Sequence, residues 1–74
     1  MKTYVEVLIS ADGEKASLIS QKLYAMGLKP SFGEHDFEYD WKEEVVLPEV
    51  LNFVDEIQKE LKGTGAILKF NTIR

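Results

Sequence analysis

Four acids, Glu34, Asp36, Glu38 and Asp40, recur at every second position, with the protein's only histidine, His35, set between the first two. Alternate residues of a strand share a face and lie ~6.5–7 Å apart. Carboxylates so spaced can converge on a hydrated divalent cation, so Glu34, Asp36 and Glu38 are the candidate metal residues. The plainer reading of the same ladder is a solvated strand face that discourages aggregation. No stretch has the Asp-x-Asp-x-Gly spacing of a dedicated calcium loop. His35 has no second histidine or cysteine to share a transition metal with, which makes it a surface turn histidine.

Other chemistry is thinner. Ser10, Ser17, Ser20 and Ser31 sit in no nucleophile motif, and a Ser-His-Asp set could draw only on His35. Ser10, Asp12 and Gly13 stand where a strand gives way to a helix, a place where backbone N–H groups can hold an anion or where Asp12 simply caps the helix. No cofactor motif is present, so no cofactor is expected and catalysis ranks below binding. With no cysteine, disulfides, thiolate metal sites and a thiol nucleophile are excluded.

These residues belong to a chain of 74, one domain, with 45% hydrophobic and 30% charged residues and a net charge of −4. A domain this short buries only about 60% of its unfolded surface, which makes association with a second chain a live expectation. Residues 34–44 carry a net charge of −5 and the remainder a net charge of +1. That balance argues against nucleic acid as a partner. No apolar run is long enough for a membrane span, and the first strand begins almost at Met1 without a leader pattern, so a cytoplasmic protein without tails is expected.

Hydrophobic period supplies the elements. Val5, Val7 and Ile9 alternate with Tyr4, Glu6 and Leu8 in a first strand. A helix over about Gly13 to Met26, capped by Asp12, carries Ala16, Ile19, Leu23 and Met26 on one face. Gly27 takes its left-handed C-terminal position and Pro30 stops it. Leu28 to Phe32 forms an edge strand, with Pro30 holding it to the edge. Phe37, Tyr39 and Trp41 alternate with the acids in a third strand ending at Lys42. The alternative is one strand over residues 31–39, a turn over 40–43 and a short strand over 44–47. Pro48 opens a second helix with Leu47, Val50, Leu51, Val54, Ile57 and Leu61 in its stripe, ending near Lys62. Gly63-Thr64-Gly65 turns into a last strand, Ala66 to Ile73.

The order β-α-β-β-α-β, with right-handed crossovers, gives an α+β, ferredoxin-like sandwich: a four-stranded antiparallel sheet with two helices on one face. Phe37, Tyr39 and Trp41 should meet the helices with Val5, Val7, Ile9, Ala66, Leu68 and Phe70. The open face should then show Tyr4, Glu6, Leu8, Glu38, Asp40, Ile67, Lys69, Asn71 and Ile73. If Trp41 lay on the open side instead, the acids would turn inward.

Families of this shape can be checked at their own residues. The acylphosphatase-like arginine is missing from the first loop, since the only Arg is Arg74, and the Cys-x-x-Cys of metal chaperones is missing altogether. Glu38 and Asp40 would repel RNA on the face where an RNA-recognition motif binds it. The step Ile9-Ser10-Ala11-Asp12-Gly13 is loosely similar to the strand–loop–helix of ACT-type regulatory domains, which implies a small-metabolite sensor with Ser10, Asp12 and Gly13 at a dimer interface. The leading expectation is a non-catalytic protein-interaction or self-associating module, a homodimer or a binder of another protein. It would use an edge strand or the open-face residues Tyr4, Leu8, Ile67, Lys69 and Ile73, with neither nucleic acid nor membrane as partner.

Overall fold

The computed structural model describes residues 1–74. The elements are β1 (Lys2–Leu8), α1 (Ala16–Ala25), β2 (Lys29–Pro30), β3 (Phe37–Asp40), α2 (Leu47–Leu61) and β4 (Ile67–Ile73). The sheet runs β2-β3-β1-β4 with every neighbouring pair antiparallel. This is the α+β, ferredoxin-like arrangement, with the long strand β1 central and β4 and the two-residue β2 at the edges.

Alternation decides the faces. Val5 is fully buried and forms the core with Ile19, Leu23, Leu28, Ile57 and Leu61; Val7, Phe37, Tyr39, Phe53, Leu68 and Phe70 pack around it. The aromatic side of β3 therefore points to the helices. Tyr39 and Trp41 both meet Phe53 of α2, at ring-centroid distances of 4.4 and 5.3 Å. Trp41 keeps this face although β3 ends one residue earlier, because its N–H still bonds the Met1 carbonyl at 3.1 Å.

The inward row of β1 also contains Thr3, completely buried, which a row started at Val5 omits. Its hydroxyl lies 2.8 Å from the Thr72 hydroxyl and accepts the Trp41 indole N–H at 2.8 Å. A buried polar group is tolerated because it is bonded, and here it also gives the indole tip its partner. Ile9 departs the other way: β1 ends at Leu8, and Ile9 is 45% exposed.

The start of α1 is later and barer than the sequence pattern implies. α1 begins at Ala16 with Lys15 in the N-cap position and no side-chain cap. Asp12 is not the cap, because the loop folds elsewhere first: the Gly13 N–H bonds the Ser10 carbonyl and the Glu14 N–H bonds the Thr64 carbonyl. A Cβ on Gly13 would lie 2.4 Å from that Thr64 oxygen, so only glycine permits the approach. The end of α1 follows the expected chemistry. The Gly27 N–H bonds the Tyr24 carbonyl and the Leu28 N–H the Leu23 carbonyl, with Gly27 at φ +92; this doubled bonding pattern satisfies two orphan carbonyls. α2 begins one residue before Pro48, after Val46, also without a side-chain cap.

Candidate functional site

The acidic residues of the β3 region are dispersed rather than convergent. The Asp36 carboxylate accepts the Val7 N–H at 2.8 Å, and the Asp36 N–H bonds the Val5 carbonyl at 3.1 Å. Asp36 thus continues the β1–β3 ladder beyond its last residue pair. Glu38 pairs with Lys2 at 2.9 Å on the open face. This hydrogen bond holds the Glu38 carboxyl below the usual carboxylate range and raises the Lys2 ammonium above its own. No group of three or more His, Cys, Asp or Glu side chains comes together, so Glu34, Asp36 and Glu38 do not form a common cation site.

His35 lies on the open sheet face rather than free in a turn. Its ring stacks on Tyr4 with centroids 4.7 Å apart, and Nδ1 stands 3.4 Å from the Glu6 carboxylate. Sequence spacing could not bring His35 and Glu6 together, because they meet only through the β1–β3 register. Around them the face is a mosaic: Glu6 sits opposite Lys69, Tyr4 opposite Asn71, and Leu8 opposite Ile67. Leu8 and Ile67 are each 65% exposed at one end of this face and Ile73 is 49% exposed at the other. Of the residues expected to form one patch, Leu8 and Ile67 are therefore separated from Tyr4 and Ile73 by the Glu6–Lys69 pair.

The Ser10–Gly13 loop is closed upon itself. The Asp12 N–H bonds the Ser10 hydroxyl at 3.2 Å and the Gly13 N–H bonds the Ser10 carbonyl at 3.1 Å. Its next amide, Glu14, is taken by Thr64. Thr64 is itself buried and braced, its hydroxyl donating to the Leu61 carbonyl at 2.7 Å. The Asp12, Gly13 and Glu14 amides that an anion would need are thus engaged within the protein, and the Ser10 hydroxyl and carbonyl serve as acceptors.

The least protected feature lies on the other side of the sheet. Edge strands template further pairing unless they are short, charged or interrupted by proline. β2 has all three protections, being two residues, Lys29 and Pro30. β4 has none of comparable strength: seven residues, Ile-Leu-Lys-Phe-Asn-Thr-Ile, no proline and one charge. Beside it, α2 leaves an apolar cleft of about 430 Å³ where Leu47, Val50, Leu51 and Val54 look across to Phe70 and Thr72. Met1, Val45 and Arg74 close its end. A wider hollow of about 930 Å³ continues along the strand past Leu68, walled by Lys59, Lys62 and Leu61.

Leu47 and Leu51 are 66% and 50% exposed, so the outer flank of the α2 stripe is not consumed by the core. This pair was legible only as an excess. Leu47, Val50, Leu51, Val54, Ile57 and Leu61 with Phe53 make a stripe wider than one sheet contact uses, but a wide stripe does not say which side stays bare. Phe32, 98% exposed at the β2–β3 turn, stands apart from this cleft. No helix is long and apolar enough to cross a membrane. No protein-family model, curated protein or solved structure matches the chain.

Proposed function

We propose that this domain is a protein-interaction module that docks an extended polypeptide segment along β4, in the cleft under the outer flank of α2. The carrying observation is the asymmetry of the two sheet edges. One is reduced to Lys29-Pro30; the other offers seven residues without proline, next to exposed Leu47 and Leu51. Strand addition draws affinity from main-chain hydrogen bonds and selectivity from pockets that take alternate side chains. The β4 edge supplies the first and the apolar cleft the second.

The open sheet face, with its paired charges, is the weaker docking surface. Its Lys2–Glu38 ion pair and its His35–Glu6 contact are surface interactions of small energetic weight, and docking there would cover them without a large apolar gain. A metabolite sensor at Ser10–Gly13 would find the Asp12 and Gly13 amides already bonded.

The test compares Leu51→Asp, at the bare α2 flank, with Leu8→Asp, at the open face, in the full chain. Cellular polypeptides retained by the wild-type protein should be lost with Leu51→Asp and kept with Leu8→Asp. On binding, exchange of the β4 amides should slow. Retention unaffected by Leu51→Asp, or abolished by Leu8→Asp alone, would remove the edge reading.

A further inference from the structure

We infer that the segment fitting this edge is β4 of a second copy of the same chain, paired antiparallel about a twofold axis through Phe70. The inference rests on the strand-addition reading and specifies its occupant. Three features of the edge carry it.

The first is hydrogen-bond parity. The Trp41 N–H bonds the Met1 carbonyl, which places the odd residues of β1 in bonded pairs with the β3 side. Bonding direction alternates along an antiparallel strand, so Lys2, Tyr4, Glu6 and Leu8 bond β4 through Ile73, Asn71, Lys69 and Ile67. The N–H and C=O groups of Leu68, Phe70 and Thr72 then point away from the sheet. A twofold axis at Phe70 sets Phe70 opposite Phe70 and Leu68 opposite Thr72. Both are pairs between outward-pointing residues, as bonded pairing requires.

The second is the side-chain register. β4 runs from Ile67 to Ile73, and Phe70 is its midpoint, so the whole strand pairs without overhang. On the open face Ile67 meets Ile73 of the second copy and Lys69 meets Asn71. A centre at Lys69 would oppose two ammonium groups, and like charges directly opposed are destabilising. A centre at Asn71 would set Lys69 against Ile73. The Phe70 register alone places apolar with apolar and the lysine with a neutral hydrogen-bond acceptor.

The third is the flank. With the sheets joined, the α2 helices run on the same side and their bare residues Leu47 and Leu51 approach the seam, along the cleft that also contains Phe70. A strand of this length is ~23 Å long. With the helix layer above, the footprint is on the order of 500 Å² per partner, at the low end of specific interfaces. A reversible dimer of micromolar strength follows, rather than an obligate one.

The experiment is sedimentation equilibrium of the full chain from ~1 μM to ~1 mM, spanning the expected affinity range, on wild type, Asn71→Lys and Asn71→Glu. Asn71 is exposed, so both variants should keep the fold, which thermal unfolding at low concentration verifies. Each substitution acts twice across the axis. Asn71→Lys opposes the Lys69 ammonium and should weaken the dimer about 5-fold; Asn71→Glu pairs with it and should tighten the dimer by a similar factor.

Leu51→Asp should also weaken the dimer, and amides of Leu68, Phe70 and Thr72 should gain protection as concentration rises. A monomer at ~1 mM would overturn the second-copy assignment, while the polypeptide-capture comparison of Leu51→Asp and Leu8→Asp still decides the broader reading. A dimer insensitive to both Asn71 variants, or one abolished only by Leu8→Asp, would overturn the assignment and place the contact on another face.

Discussion

Replacing Thr3 by valine tests the one polar cluster inside the sandwich. The side chains are nearly isosteric and both suit a strand, so packing and propensity change little. What changes is bonding. Thr3 is fully buried, and its hydroxyl serves the Trp41 indole N–H and the Thr72 hydroxyl, each at 2.8 Å. Two neutral hydrogen bonds are worth about 1 kcal/mol each, and the added methyl recovers part of that. Thr3→Val should therefore cost about 1.5 kcal/mol, a fall in Tm of ~6–12 °C for a domain of this size.

Thr72→Val alone removes one of the two bonds and should cost about half as much. The double variant leaves only the indole N–H without its partner, and Trp41, half exposed, can turn that group towards water. The double variant should be no less stable than Thr3→Val. Urea unfolding followed by circular dichroism and by fluorescence of the single tryptophan measures all three. A neutral Thr3→Val, or costs that simply add in the double variant, would refute the shared-hydroxyl argument.

Gly13→Ala should destabilise by about 1–3 kcal/mol, since its Cβ would meet the Thr64 carbonyl at 2.4 Å and force the first loop from the α2–β4 turn; thermal unfolding at unchanged Tm would show the approach to be loose. Val46→Asp should stabilise by about 1 kcal/mol, because α2 starts with an exposed valine in an extended N-cap position and no side-chain cap; a lower urea midpoint would count against that start. The Lys2–Glu38 pair predicts two opposite pH limbs. Glu38 titrates below its ordinary 4.5, so its contribution is complete above that value and lost as pH falls through the lower folded value. Lys2 titrates above its ordinary 10.5, so its contribution is complete below that value and lost as pH rises through the higher folded value. Glu38→Gln should flatten both limbs in pH-dependent urea midpoints, and an unchanged acid limb would contradict the pairing.

The element order and the inward face of β3 were legible because they depend on period alone. Phe37, Tyr39 and Trp41 keep phase over five residues, and a strand with aromatic and acidic sides has one economical orientation when a core is available. The end of α1 was legible for the same local reason, as Gly27 is the residue that a left-handed C-terminal position selects.

The start of α1 was not. Asp12 has the side chain of a cap, but its loop is held by Thr64, 52 residues away in sequence, and that long-range bond moves the helix start to Ala16. His35 misled similarly: its neighbours in sequence, Glu34 and Asp36, are not its partners. Tyr4 and Glu6 become so only once β1 and β3 register.

The candidate docking surface divides along that same line. The sequence by itself determined that the chain is an α+β sandwich, that β2 is blunted by Pro30, and that Ala66 to Ile73 is rich in strand-forming residues with one charge. Only the tertiary structure decided that α2 leaves Leu47 and Leu51 uncovered beside the β4 edge, and that the Leu8–Ile67 pair is parted from Ile73 by charge. Local pattern specifies which face of an element is apolar. How much of that face is left bare is set by the neighbours the chain folds against it, and those neighbours come from distant segments.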